Sequence, residues 1–189
     1  MSESTKILLE ETLVKELSEK TLDKITVKSL CEKIKITRQA FYYHFSDVYS
    51  LLEYIYTNEA EKTIGKNRTY DSWILGYKNI FDKMLTYKRF VINTYRSISR
   101  EYLENYLYNV TFNLLYCVIE EKAKDYPCVS TEQRKFIANF YKYAFVGIVL
   151  DWVSKDMQKD PDEIIFYFSN IIKGDFVEAL KTFNEAKTK

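Results

Sequence analysis

Along the first third of the chain, apolar positions recur at helical spacing in short stretches, each with its own start signal. Leu9, Leu13, Val14 and Leu17 line one side of residues 5 to 20 behind Ser4 or Thr5, which predicts an amphipathic first helix. Leu22 and Ile25 lead into a second start. There Thr26 is placed as an N-cap, with Ile25 and Leu30 as the two apolar ends of a staple. Val27, Leu30, Cys31 and Ile34 form one face of that helix. The period breaks at Ile34-Lys35-Ile36 and restarts with Thr37 as cap and Ile36 and Phe41 as a second staple. Two short capped helices about three residues apart have the spacing of a helix-turn-helix. A further helix after Ser46 turns Val48, Leu51, Leu52, Ile55 and Tyr56 inward.

Gly65-Lys66-Asn67-Arg68 is polar and interrupts the apolar period, so it divides the chain. Five longer helices are expected beyond it. Asp71 caps one reaching Tyr87, and Lys88 to Ile98 makes a shorter one. A long helix from Ser99 to Lys124 stops before Pro127. Ser130 and Gln133 form a capping box for a helix to Met157, and Asp160-Pro161-Asp162-Glu163 opens the last, to Glu185. The expected fold is all-α with about nine helices. The chain is read in three parts, a head at residues 1–46, a connecting helix at 47–64 and a body at 65–189.

Composition agrees. Only 4 Gly and 2 Pro occur, far too few for the punctuation of strands and tight turns, and 47% hydrophobic residues suffice for a core. The N-terminus lacks the apolar run of a signal peptide, and no stretch is read as the roughly 20 apolar residues of a membrane span, so a cytoplasmic protein is expected. Cys31, Cys117 and Cys128 are widely spaced and stand apart from any histidine cluster, so neither disulfides nor a metal site is expected. With His44 as sole histidine and no phosphate loop or nucleophile elbow, neither catalysis nor a cofactor is expected.

The net charge of +1 hides a local imbalance. Between Lys24 and Ser46, Lys24, Lys28, Lys33, Lys35 and Arg38 face one acid, Glu32. A solvated basic helix face and a phosphate-binding surface both fit this pattern. The segment from Thr37 to Phe45 favours the second. Ala40, Phe41 and Phe45 supply its inward side and leave Arg38, Gln39, Tyr43 and His44 outward. A recognition helix needs that layout, with side chains near its start reaching base edges and its flanks meeting phosphates. Arg38 can donate twice to guanine and Gln39 can pair with adenine. The Thr37 hydroxyl can cap the helix or meet a phosphate.

The run ITRQAFYYHFSDVYSLLEYIY, preceded by ITVKSLCEKI, resembles the DNA-binding motif of TetR-family regulators over residues 5 to 60. That resemblance implies a three-helix head, a fourth connecting helix and a larger dimerising, effector-binding body. It also implies base reading by Arg38 and Gln39, and backbone contact or helix positioning by Thr37, Tyr42, Tyr43 and His44. Lys28 would lie near phosphates, and Thr26 and Lys35 complete the expected DNA-binding set. Two departures stand out. Lys35 replaces a common turn glycine, implying either strain or a negative φ, and Val48 replaces a common lysine, removing one phosphate contact. The segment FIANFYKYAFVGIVLDWVSKDMQKDPDEI resembles a subgroup that includes regulators of dihydroxyacetone kinase operons.

In the body, Phe136, Ile137, Phe140, Ala144, Gly147, Ile148 and Trp152 spread over wide apolar faces, as do Ile165, Phe168, Ile172 and Phe176. The resemblance implies that the last two helices pair with their mates in a dimer. The expected interface is Ala144, Gly147, Ile148, Trp152, Ile165, Phe168, Ile172 and Phe176; an intrachain core is the alternative. Trp73, Tyr77, Phe81, Tyr95, Phe112, Tyr116 and Phe140 are read as an aromatic pocket for a small, partly apolar effector, or equally as a tyrosine-rich core. Two functions follow: a homodimeric regulator on a palindromic operator, or a TetR-like coregulator whose head no longer grips DNA.

Overall fold

The computed structural model describes residues 2–97, 100–172 and 174–186, and among them it holds helices and no strand. In order these are α1 (Ser2–Leu17), a 3-10 turn (Leu22–Lys24), α2 (Val27–Ile34), α3 (Arg38–Tyr42), α4 (Val48–Ile64) and α5 (Trp73–Thr86). They continue as α6 (Lys88–Tyr95), α7 (Arg100–Ala123), α8 (Thr131–Ser154), α9 (Pro161–Ile172) and α10 (Asp175–Ala186). The all-helical expectation holds, with one correction. The single last helix is two, separated at Gly174, whose φ of +91° lies outside the helical region. The expected helix ends at Ile98 and Ser99 lie outside the described residues.

The chain divides into two compact units. Residues 1–60 group with 84–106, and residues 61–83 group with 107–189. Residues 84–106, expected with the body, thus belong to the unit that carries the helix-turn-helix.

In the first unit, Leu9, Leu13 and Leu17 of α1, Leu30 of α2, Phe41 of α3 and Leu51 and Leu52 of α4 are fully buried. Tyr56 packs against Phe90 and Tyr106 at ring distances of 5.5 and 5.0 Å. Its buried hydroxyl is pushed up from the usual tyrosine range by desolvation. Glu16 brings a charge into this core, 2% exposed. It pairs with Lys20 at 2.7 Å and with Lys33 of α2, and these two bonds hold its carboxyl below the ordinary range.

The second unit is built around aromatic rings. Tyr77 meets Phe81, Phe145 and Phe168 at 5.2, 4.6 and 5.3 Å, and its hydroxyl donates to the Phe145 carbonyl at 2.9 Å. Trp73 packs on Phe145 and Phe176, and Phe81 on Trp152. Each fully buried Phe contributes roughly 1.5–3 kcal/mol by leaving water. Gly76 lets the 65–68 loop lie on α5, because a Cβ there would stand 2.4 Å from the Asn67 carbonyl oxygen. Contrary to the expectation from sequence, α8 is long and apolar enough to cross a membrane by length and composition. The cause is visible in its wheel: one side packs in the core, and the opposite side is also apolar and lies exposed.

Candidate nucleic-acid interface

Local chemistry builds the helix-turn-helix. At the start of α2, the Thr26 side chain accepts from the Ser29 N–H and the Ser29 side chain accepts from the Thr26 N–H, both at 3.1 Å. This reciprocal cap satisfies two donors that a helix start leaves open. Ile25 and Leu30 are buried, as a staple requires. The turn closes on Lys35, at φ +57° and ψ +45°, with the Ile36 N–H donating to the Cys31 carbonyl at 3.0 Å. Of the two conformations the sequence left open, the left-handed one is present, and a lysine bears it where glycine adopts it freely. Thr37 then caps α3, its hydroxyl accepting from the Ala40 N–H at 3.1 Å.

α3 is short, Arg38–Tyr42, and strongly two-sided. Phe41 is fully buried, 6.0 Å from the ring of Phe45, which in turn meets Tyr54 at 5.3 Å. With Phe41 anchored inside, Arg38 and Gln39 stand exposed. Tyr42 and Tyr43 are exposed large rings, Tyr43 at 80%, and His44 is half-buried edge-on to Tyr43 at 4.9 Å. Thr26, Lys28 and Lys35 are exposed on the same two-helix motif.

The basic excess is smaller than the sequence count. Lys33 is held by Glu16 of α1, a carboxylate far away in sequence that local charge counting misses. Lys28 stands 3.8 Å from Glu32, a loose pair with both partners more than half exposed, and such pairs yield readily to a phosphate. Val48 is buried, so the position that departs from the family's lysine serves the core. The start of α4 is capped instead by Asp47, which accepts from the Ser50 N–H at 2.7 Å.

The expected effector residues are not gathered at one place. Trp73, Tyr77 and Phe81 are buried in the aromatic core of the second unit. Tyr95 belongs to the first unit, 4.5 Å below the Arg100 guanidinium. Phe112 and Tyr116 stack at 5.5 Å, half-buried, and Phe140 is 64% exposed. The expected dimer set needs a matching correction. Ala144 and Gly147 are exposed and Ile148 half-buried, whereas Trp152, Ile165, Phe168, Ile172 and Phe176 are buried within the chain itself. The outward apolar face consists of Phe136, Phe140 and Tyr143 on α8 and Phe166, Tyr167 and Ile171 on α9. At Gly147 an added Cβ would meet nothing within 4 Å.

A family model described as the C-terminal region of a transcriptional regulator, of the TetR type, matches residues 71–174. The chain belongs to the TetR family of transcriptional regulators. Among solved structures it is similar to the dihydroxyacetone kinase operon activator DhaS, with a TM-score of 0.70 over 95% of this chain and 97% of that one. At 19% identity this likeness concerns the fold. No curated protein shows significant sequence similarity to the chain.

Proposed function

We propose that the chain binds a palindromic operator as a homodimer, reading bases with Arg38 and Gln39. The observation that carries this reading is the two-sidedness of α3, where a fully buried Phe41 leaves the two base-reading side chains in solvent. Lys28, Lys35, Tyr42, Tyr43 and His44 flank them as phosphate contacts, with Thr26 and Thr37 fixing the helix starts. The dimer forms through the outward face of α8 and α9, where Ala144 and Gly147 admit a partner helix closely. An exposed surface this aromatic marks a protein contact rather than a wetted face.

An effector in the second unit controls binding by changing the separation of the two recognition helices. Successive major grooves are engaged only near roughly 34 Å, so an effector that prefers another separation weakens binding by its differential affinity. The half-buried Phe112 and Tyr116 are its proposed contacts, since Trp73, Tyr77 and Phe81 are spent on the core.

Binding to the DNA upstream of the chain's own coding region, measured at several salt concentrations, tests the reading. Affinity falls steeply with salt, with the slope of roughly 6 to 10 neutralised phosphates per dimer. The coregulator reading draws on the left-handed Lys35 and the buried Val48. It predicts little binding at any salt.

A further inference from the structure

The last turn of α1 carries polar contacts to two different helices. Glu16 holds Lys33 of α2 as well as Lys20 of its own helix. The next residue, Leu17, presents its carbonyl to α6, where the Asn93 amide nitrogen donates to it at 2.7 Å. One helix end therefore grips α2 by charge and α6 by an amide. α2 packs on α3, so the placement of Arg38 and Gln39 follows that of α2. The ground between α1 and α6 is largely polar: Ser18, Glu19, Arg89, Ile92 and Asn93 line an open recess of about 460 Å³. Phe90 and Val91 anchor α6 by burial, and the Asn93 amide adds a directional bond beside the recess.

Resting on the DNA-binding reading above, we infer that Asn93, Leu17, Glu16 and Lys33 form a positioning relay through which α6 sets the attitude of the recognition helix. In this relay Lys33 is a strut, not a phosphate contact, although its charge adds to the basic excess of the motif. Glu16 stays paired with Lys20 when Lys33 is lost, so removing Lys33 leaves no isolated buried charge. Lys15, Glu19, Lys20 and Arg89 also carry charge around this helix end.

Duplexes selected from a random-sequence pool by the wild-type protein serve as the probe. Lys33→Met and Asn93→Leu each lower affinity roughly threefold to tenfold, as loss of one hydrogen bond does, and Lys33→Arg restores it. The salt slope of Lys33→Met stays at the wild-type value. The double variant loses less than the product of the two single losses, by more than about twofold, because both cut one chain of contacts. A slope reduced by about one shows that Lys33 meets a phosphate and overturns the relay. Losses that simply multiply, or unchanged affinity beside a lowered melting temperature, overturn it as well. A wild type that selects no duplex overturns the DNA-binding reading and the relay with it, whereas failure of the variants alone overturns only the relay.

Discussion

The N–H of Ile36 donates to the carbonyl of Cys31 at 3.0 Å, and this bond forces Lys35, between α2 and α3, into the left-handed region. A side chain in that region costs on the order of 1 kcal/mol, part of which returns through the lower entropy of the unfolded chain relative to glycine. Lys35→Gly is expected to raise stability by about 0.5 kcal/mol in urea unfolding. If Lys35 also meets a phosphate, the same variant lowers the salt slope of DNA binding by about one.

Glu16 gives the protein a defined acid sensitivity. Its carboxyl titrates below the ordinary value of 4.5 in the folded state because Lys20 and Lys33 bond the charged form. The sign is that of a depressed acid: the stabilisation is complete above the unfolded value and is lost as pH falls through the folded one. Glu16→Gln is therefore expected to be less stable than wild type near neutrality by about 1.5 kcal/mol, the low end of the scale for hydrogen bonds to charged groups. The difference shrinks below pH 4.5, as urea unfolding from pH 7 to 3 will report.

Much of the fold is legible in the sequence because its signals are local. Thr26, Thr37 and Ser130 each cap the helix their spacing announces. Ile25, Leu30 and Phe41 are buried where the staple pattern puts them. What escapes is of two kinds. The Glu16–Lys33 pair joins residues of different helices, so local charge counting includes Lys33 in the basic excess although its charge is already paired. On α8 and α9, apolar residues cover most of the wheel, and periodicity alone cannot tell the core-facing side from the outward one. Trp152 and Phe168 consequently belong to the core, while Phe136 and Ile171 stand outside.

That distinction separates two outcomes by mutation. Phe140→Glu with Ile171→Glu is expected to leave the fold intact and shift the protein to a monomer in sedimentation, since both positions are exposed within one chain. Phe168→Ala removes a ring packed 4.0 Å from that of Phe145. It is expected to cost about 3–5 kcal/mol of folding stability whatever the oligomeric state.

Tyr77 tests the aromatic centre of the second unit. Tyr77→Phe keeps the ring and loses the bond to the Phe145 carbonyl. A loss of about 0.5–1.5 kcal/mol is expected in thermal unfolding.

The account stands most directly on whether α3 reads bases, and the measurement is the sequence preference of Arg38→Ala beside that of Lys28→Ala on a randomised duplex pool. The expected result is relaxed preference for Arg38→Ala, worth about 1–3 kcal/mol at one base position, and uniformly weaker binding for Lys28→Ala. An unchanged preference in Arg38→Ala, or a wild-type protein that ignores duplexes even in low salt, would contradict it.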